Sequence, residues 1–251
     1  MNISGNTILI TGGGSGIGRG LAEAFDKAGN QVIISGRRKQ VLDEVTSANP
    51  RIKGVTFDIE NPESCRSLAA QLSKDFPKLN VVIHNAGIMK PENLQSPELA
   101  DCQSMIAINL LGPIRLTAAL LPLLKRQPKS TIMTVSSGLA FMPLAMTPTY
   151  CATKAAIHSY TQSLRYQLKS TSVEVLELIP PYVQTELMDG ADDPRAMPLA
   201  AFITEVMEIL KTEPTPPEIC VQNVGNLRLA AEQGRYEATF NGLNSAMAGR
   251  F

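Results

Sequence analysis

The stretch Thr7–Ser35, TILITGGGSGIGRGLAEAFDKAGNQVIIS, decides the fold. Thr7 to Ile10 is a short run of β-favouring residues that stops in a glycine-rich turn, TGGGSGIG, from Thr11 to Gly18. Leu21, Ala22, Phe25 and Ala28 then recur at helical spacing on one face, and Gly29 ends the pattern. Gln31 to Ser35 is a second apolar run of strand character. Strand, helix and strand in so short a span make a βαβ unit, whose strands are parallel and whose crossover is right-handed.

The alternation continues outward from this unit. Lys39 to Ala48 predicts a second helix, Gly54 to Phe57 a third strand closed by Asp58, and Pro62 to Phe76 a helix with proline in its first turn. Asn80 to Ile83 predicts a fourth strand running into HNAG, His84 to Gly87. Pro97 to Lys125 predicts a long helix bent near Gly112 and Pro113, followed by a fifth strand at Ser130 to Val135. Thr149 to Lys169 is the next helix and Val173 to Ile179 the sixth strand. No linker or repeat interrupts the series. It predicts an α/β architecture, a doubly wound parallel sheet with helices on both faces (a Rossmann fold), as a single domain over residues 1–251. Beyond Pro180 the pattern loosens. Gln184 to Pro198 is rich in Asp, Pro, Gly and Met, and helical segments are expected at Leu199 to Lys211 and Pro217 to Glu232, with a last short strand around Tyr236 to Phe240.

Composition narrows the function classes. The 251 residues carry 23 Lys and Arg against 23 Asp and Glu, for a formal net charge of zero. The cations are dispersed, so neither nucleic acid nor an anionic membrane is an expected partner. Tryptophan is absent, which argues against base-stacking platforms. The longest apolar run, Leu116 to Leu124, is about half of what spans a bilayer. Cys65, Cys102, Cys151 and Cys220 show no CxxC pairing and read as reduced thiols, with no metal site implied. The first residues lack a basic segment followed by a cleavable apolar one, so no signal peptide is expected and a soluble cytoplasmic protein is the default.

A second stretch carries candidate chemistry: Ser136 to Lys154, SSGLAFMPLAMTPTYCATK. Tyr150 and Lys154 stand four residues apart at the start of a helical pattern, so their side chains share a face. A free phenol titrates near about 10, too high for a base at neutral pH, and a neighbouring ammonium lowers that value. A hydroxyl from Ser136 or Ser137 could hold a substrate oxygen against the phenol. Alone, each residue has a plainer reading: Tyr-x-x-x-Lys is common, and a serine pair suits a strand end. The Thr11 to Gly18 turn weighs against the plainer reading. It sits between a buried strand and an amphipathic helix, where glycines let backbone approach a pyrophosphate and the helix dipole favours its charge.

TGGGSGIG, HNAG, INLLG, and SSG with YCATK, in this order and spacing, resemble the short-chain dehydrogenase/reductase family, and the resemblance runs over residues 5–185. It implies a catalytic tetrad of Asn109, Ser137, Tyr150 and Lys154. Ser137 is the family's serine because it stands thirteen residues before the tyrosine. Tyr150 would be the general acid for carbonyl reduction and the base for alcohol oxidation. Lys154 would lower its pKa and hold the nicotinamide ribose, Ser137 would polarise the substrate oxygen, and Asn109 would anchor a water connecting Lys154 to solvent.

For the cofactor the resemblance implies Gly12, Ser15, Gly16, Ile17 and Gly18 at the pyrophosphate. It implies Asp58 and Ile59 at the adenine, Asn85, Ala86 and Gly87 at the adenosine ribose, and Pro180, Val183 and Thr185 at the nicotinamide, with Tyr150 and Lys154. The position that would bind the ribose 2′-hydroxyl of NAD, eighteen residues after the last glycine of the turn, is Gly36. Arg37 and Arg38 beside it suit a 2′-phosphate, because a guanidinium binds phosphate through a planar fork of donors. NADP is therefore expected over NAD. His84 replaces the first asparagine of the family element and is given no catalytic role, and His158 is read as structural or surface. Pro180-Pro181 and the later GRYEATFNGLN resemble the DltE-like branch.

The implied activity is hydride transfer between NADP(H) and a carbonyl or secondary alcohol. A dinucleotide-sensing binding protein of the same fold is the alternative, and a sugar-nucleotide epimerase is disfavoured by the short remainder after Pro181. Residues 186–204 are expected to cover a small-molecule substrate. In that region Asp189, Asp192 and Asp193 read as solvated charges or as a lure for a cation. Met188, Met197, Leu199 and Phe202, with Phe141, Met142, Leu144 and Met146, read as an apolar lining. A homodimer or homotetramer through the helices carrying Asn109 and Tyr150 is the family's usual assembly.

Overall fold

The computed structural model describes residues 1–96, 99–187 and 193–247. Chain order is β1 (Thr7–Thr11), α1 (Gly16–Lys27), β2 (Gln31–Gly36), α2 (Lys39–Ala48), β3 (Lys53–Thr56), α3 (Pro62–Asp75) and β4 (Val81–His84). There follow α4 (Leu99–Ile106), a π-helical turn (Ala107–Leu111), α5 (Gly112–Lys125), β5 (Ser130–Val135), α6 (Pro148–Leu168) and β6 (Val173–Ile179). The remainder comprises α7 (Leu199–Leu210), β7 (Glu218–Cys220), the single turn α8 (Gly225–Arg228) and α9 (Tyr236–Met247).

The seven strands of the described residues are all parallel, in the order β3-β2-β1-β4-β5-β6-β7. Strand alternation divides the core into two layers. Ile8, Ile10 and Ile34 point to the side covered by Phe25 of α1 and Phe202 and Val206 of α7. Leu9, Ile33, Val82 and Ile132 point to the side covered by Leu72 of α3, Leu116 and Leu120 of α5, and Leu164 of α6. Both faces are buried, so the strands read as continuous apolar runs. The strand order reverses between β1 and β4, which opens a crevice at the carboxyl ends of the strands, the usual ligand position in such sheets.

Local chemistry sets the helix starts. Asn61 Oδ1 accepts the N–H groups of Glu63 (2.8 Å) and Ser64 (3.2 Å), with Pro62 in the first turn. The expected bend in the long helix is a π turn just ahead of Gly112 and Pro113, and Asn109 lies within it.

Two expectations are corrected. Residues 217–232 do not form one helix: Glu218–Cys220 is a seventh strand beside β6, and only Gly225–Arg228 is α-helical. Tyr236 to Phe240 is not a strand but the start of α9. The first residues of the expected 97–125 helix, and Met188, Asp189 and Asp192, lie outside the described residues.

Candidate active site

The glycine turn joins β1 to α1 at the crevice. Gly12 has φ +67°, and a Cβ there would meet Ala86 Cα at 2.9 Å. At Gly18 a Cβ would meet the Gly12 carbonyl oxygen at 2.3 Å, so the first turn of α1 lies directly against the loop. The HNAG segment is stitched to the same turn. Asn85 Nδ2 donates to the carbonyls of Thr11 (3.1 Å) and Gly12 (3.2 Å), and Thr11 Oγ1 accepts from the N–H groups of Asn85 and Ala86 (3.1 Å each). Gly12, Ser15, Gly16, Ile17, Asn85, Ala86 and Gly87 together line a cleft of about 780 Å³.

The carboxyl end of β2 forms another part of that cleft, with Ser35, Gly36, Arg37 and Arg38 in its lining. Ser35 Oγ is buried and has no hydrogen-bond partner among the described residues. Arg37 Nη1 lies 4.0 Å from Glu60 Oε2, and the Arg37 side chain is half exposed, so this ion pair holds the guanidinium weakly. Close backbone at the turn, an orphaned hydroxyl and two arginines at one strand end fit a nicotinamide dinucleotide. Ile59 lines the cleft. The Asp58 carboxylate is engaged locally, Oδ1 accepting from the N–H of Glu60 at 3.1 Å.

The sheet and α6 bring the remaining residues to the other wall. Ser137 follows β5 in extended conformation, its Oγ accepting from the N–H of Leu139 at 3.1 Å. Tyr150 and Lys154 project from the first turns of α6 and line the cleft with Ser137, Pro180, Val183 and Thr185. Burial pushes the Tyr150 phenol well above its usual value, and a hydrogen bond with Ser137 works against that rise. Lys154 Nζ donates to the Val135 carbonyl at 2.8 Å and lies 5.5 Å from the Tyr150 ring centroid. Burial lowers its pKa to about 8, and the charge of Glu177 pulls it back up.

Asn109 is buried behind this wall. Its Oδ1 accepts from the N–H of Ile88 (2.9 Å), and its Nδ2 donates to the Ile88 carbonyl (2.9 Å) and to Thr153 Oγ1 (3.2 Å). Gly87 stands between it and the lysine: a Cβ there would lie 3.3 Å from Asn109 Oδ1 and 3.7 Å from Lys154 Nζ. His84 is buried under α5 with Nε2 2.8 Å from Thr117 Oγ1, and burial lowers its pKa to about 4, so it stands neutral.

Residues 6–196 match the model of the short chain dehydrogenase family. The chain belongs to that family. Among curated relatives, the uncharacterized oxidoreductase DltE of Bacillus subtilis (strain 168) is 41% identical over 207 residues, covering 82% of each chain. An uncharacterized oxidoreductase of Staphylococcus aureus (strain N315) is 32% identical over 181 residues, 71% of this chain and 78% of the relative. This is an oxidoreductase of the DltE-like branch of the family. Among solved structures, a short chain dehydrogenase of Burkholderia cenocepacia J2315 in complex with NADP superposes with a TM-score of 0.82 at 24% identity, covering 97% of this chain and 99% of that one. A 3-ketoacyl-(acyl-carrier-protein) reductase of Brucella melitensis complexed with NADH gives 0.77 at 26% identity, covering 85% and 93%.

For a short chain dehydrogenase, two parts of this site escaped the sequence reading. One is the C-terminal helix α9, whose Leu243 and Met247 line the cleft and pack beside Met105, Leu144, Met146 and Tyr150. The other is a polar cluster behind the wall that carries Tyr150 and Lys154, formed by Ser136, His158 and Glu177. Its signal was present in the sequence, because His158 stands one helical turn beyond Lys154 and Glu177 interrupts the apolar face of a buried strand.

Proposed function

We propose that this oxidoreductase moves a hydride between NADP(H) and a small carbonyl or secondary alcohol, with Tyr150 exchanging the proton. The observation that carries the reading is that Ser137, Tyr150 and Lys154 line the same cleft as the glycine turn and the Gly36-Arg37-Arg38 strand end. The nicotinamide, when bound, supplies or receives the hydride. The chain's own groups manage the oxygen. Tyr150 Oη gives its proton to the developing alkoxide in reduction and takes it back in oxidation, while the Ser137 hydroxyl donates to the same oxygen. Tyr150 has to lose its proton in the oxidative direction against the effect of its burial, and the Lys154 ammonium is the positive charge placed to favour that loss.

The substrate portion of the cleft is lined by Ile88, Met89, Leu139, Leu187, Leu243 and Met247, which suits an apolar body on the carbonyl compound. Arg37 and Arg38, with no acidic side chain at position 36, support NADP over NAD. On the same reading the protein works in the cytoplasm, where cysteines with no CxxC pairing stay reduced.

The test is a panel of ketones and aldehydes with NADPH absorbance as readout. Turnover of at least one apolar carbonyl is expected, and Tyr150→Phe should lower it by about 10²–10⁴-fold. Turnover by Tyr150→Phe within about tenfold of the parent would remove the assigned role. Tight NADPH binding with no turnover across the panel would favour a dinucleotide-sensing protein.

A further inference from the structure

The face of α6 that carries Tyr150 and Lys154 continues for two more turns. Tyr150, Lys154, His158 and Gln162 follow at four-residue intervals and stand in one row. Against this row the sheet presents a carboxylate, Glu177 in β6, which is fully buried. It sits opposite Thr134 of β5 in register, and Thr134 itself meets Thr161 of α6. Ser136 Oγ donates to Glu177 Oε1 at 2.5 Å. His158 Nδ1 lies 2.8 Å from Oε2 and 3.0 Å from Oε1.

The histidine ring has a second partner on α6. His158 Nε2 lies 3.1 Å from Gln162 Nε2, and an amide nitrogen only donates. With the amide so oriented, Nε2 of the ring accepts and the ring proton sits on Nδ1, aimed at Glu177. Ser136 and His158 together hold both carboxylate oxygens of Glu177 in place.

A carboxylate this deeply buried is stabilised by positive charge nearby. On the β7 side Glu218 faces Glu177 in register with the same sign, and it is held by Arg228 through Nε (2.8 Å) and Nη2 (3.3 Å). Arg228 also donates to Glu232 at 2.6 Å and lies over the Phe141 ring, which in turn meets His158 edge-on. That guanidinium is already divided between two carboxylates. The neighbouring Cys220 thiol, pushed up to about 11 chiefly by burial, is neutral. Arg165 of α6, half-buried, is turned to the carbonyls of Val175 (2.8 Å) and Pro217 (3.0 Å), and the buried cation on this side is Lys154. Its ammonium holds the carbonyl of Val135, the residue between Thr134 and Ser136, both of which adjoin Glu177. Around Lys154 stand otherwise only the uncharged Tyr150, Ser137 and Asn109 among the polar groups described above.

We propose that Glu177, fixed by Ser136 and His158, is the counter-anion of Lys154: a positioning residue that keeps the ammonium charged beside Tyr150 and so sets the pH range in which the site works. This deepens the role given to Lys154 in the proposed function, but its test needs no substrate. The full chain is labelled with 13C-lysine, and the Lys154 13Cε resonance, assigned by its loss in Lys154→Arg, is followed against pH in the absence of cofactor. In the parent the midpoint is expected near 8. Glu177→Gln should lower it by about one pH unit, since removing a nearby opposite charge shifts a group by about that much. A midpoint that does not move in folded Glu177→Gln overturns the proposal. If that variant does not fold, the double variant Glu177→Leu/Ser136→Ala removes the charge together with the hydroxyl that served it, and has to show the same fall; an unchanged midpoint there is equally fatal. A lack of turnover in the carbonyl panel would leave this titration readable, so failure of the activity and failure of the counter-ion are separate results.

Discussion

Gly36 ends β2 at the place where a carboxylate would meet the 2′-hydroxyl of NAD. A Cβ built there touches only Leu42 Cδ2 at 3.7 Å, an ordinary contact, so the position has room for a side chain. Gly36→Asp should therefore fold like the parent while placing a negative charge beside Arg37 and Arg38. NADP affinity is expected to fall by about tenfold or more, because like charges brought together cost several kcal/mol, and NAD affinity is expected to rise. Calorimetric titration with both dinucleotides checks this, and a parent that binds NAD as tightly as NADP would refute the assignment. The residues in this argument were legible in the sequence because the turn and the strand end have a clear pattern and the resemblance to the family marks Gly36 as the deciding position. Glu177 is less legible, because VEVLELI reads as a strand over its whole length. Its alternation puts Glu177 on the face shared by Val173 and Val175, and that irregularity was the available clue.

At the scale of elements, sequence periodicity located β1, β2, β5, β6 and the helices between them, since each is a long run with one dominant period. It failed where elements are short or where packing decides. β7 has three residues at the sheet edge, too few to show a period, and it exists because Ile219 buries against β6. The segment starting at Tyr236 has aromatic and β-branched residues that favour a strand, yet it is helical because Leu243 and Met247 then meet the cleft on one face. That helix is tied to the loop between serine and tyrosine. Asn244 Oδ1 accepts from the N–H of Ala145 at 2.6 Å, and Nδ2 donates to the Pro143 carbonyl at 3.2 Å. Asn244→Ala removes both ties, each contributing about 1 kcal/mol. It should raise KM for the carbonyl substrate by about tenfold and leave NADPH affinity unchanged. An equal loss of NADPH affinity would show that α9 supports the whole cleft rather than the substrate end.

For the whole molecule, the stretch Leu99–Lys125 raises a question of its own. It is 27 residues long and apolar enough in composition to cross a membrane, yet Met105, Ile108, Leu116, Leu120, Leu123 and Leu124 are buried in the protein. What remains outside is a narrower apolar strip. Leu99 and Ile106, seven residues apart on one face of α4, are 64% and 41% exposed, and Leu111 in the π turn is 36% exposed. Single exposed apolar side chains are ordinary, but several on one helical rod mark an interaction surface. The homo-oligomer expected from the family resemblance would cover them with a second copy of this chain. The π turn that holds Asn109 would then be braced from outside as well as by Ile88. Light scattering of the purified protein should give a dimer or tetramer mass, and Leu99→Glu/Ile106→Glu should shift it to a smaller species by placing carboxylates in an apolar contact. A monomeric parent would sink the proposal, and so would an unchanged mass in the folded double variant, because neither residue supports the core and their exposure would then need no partner.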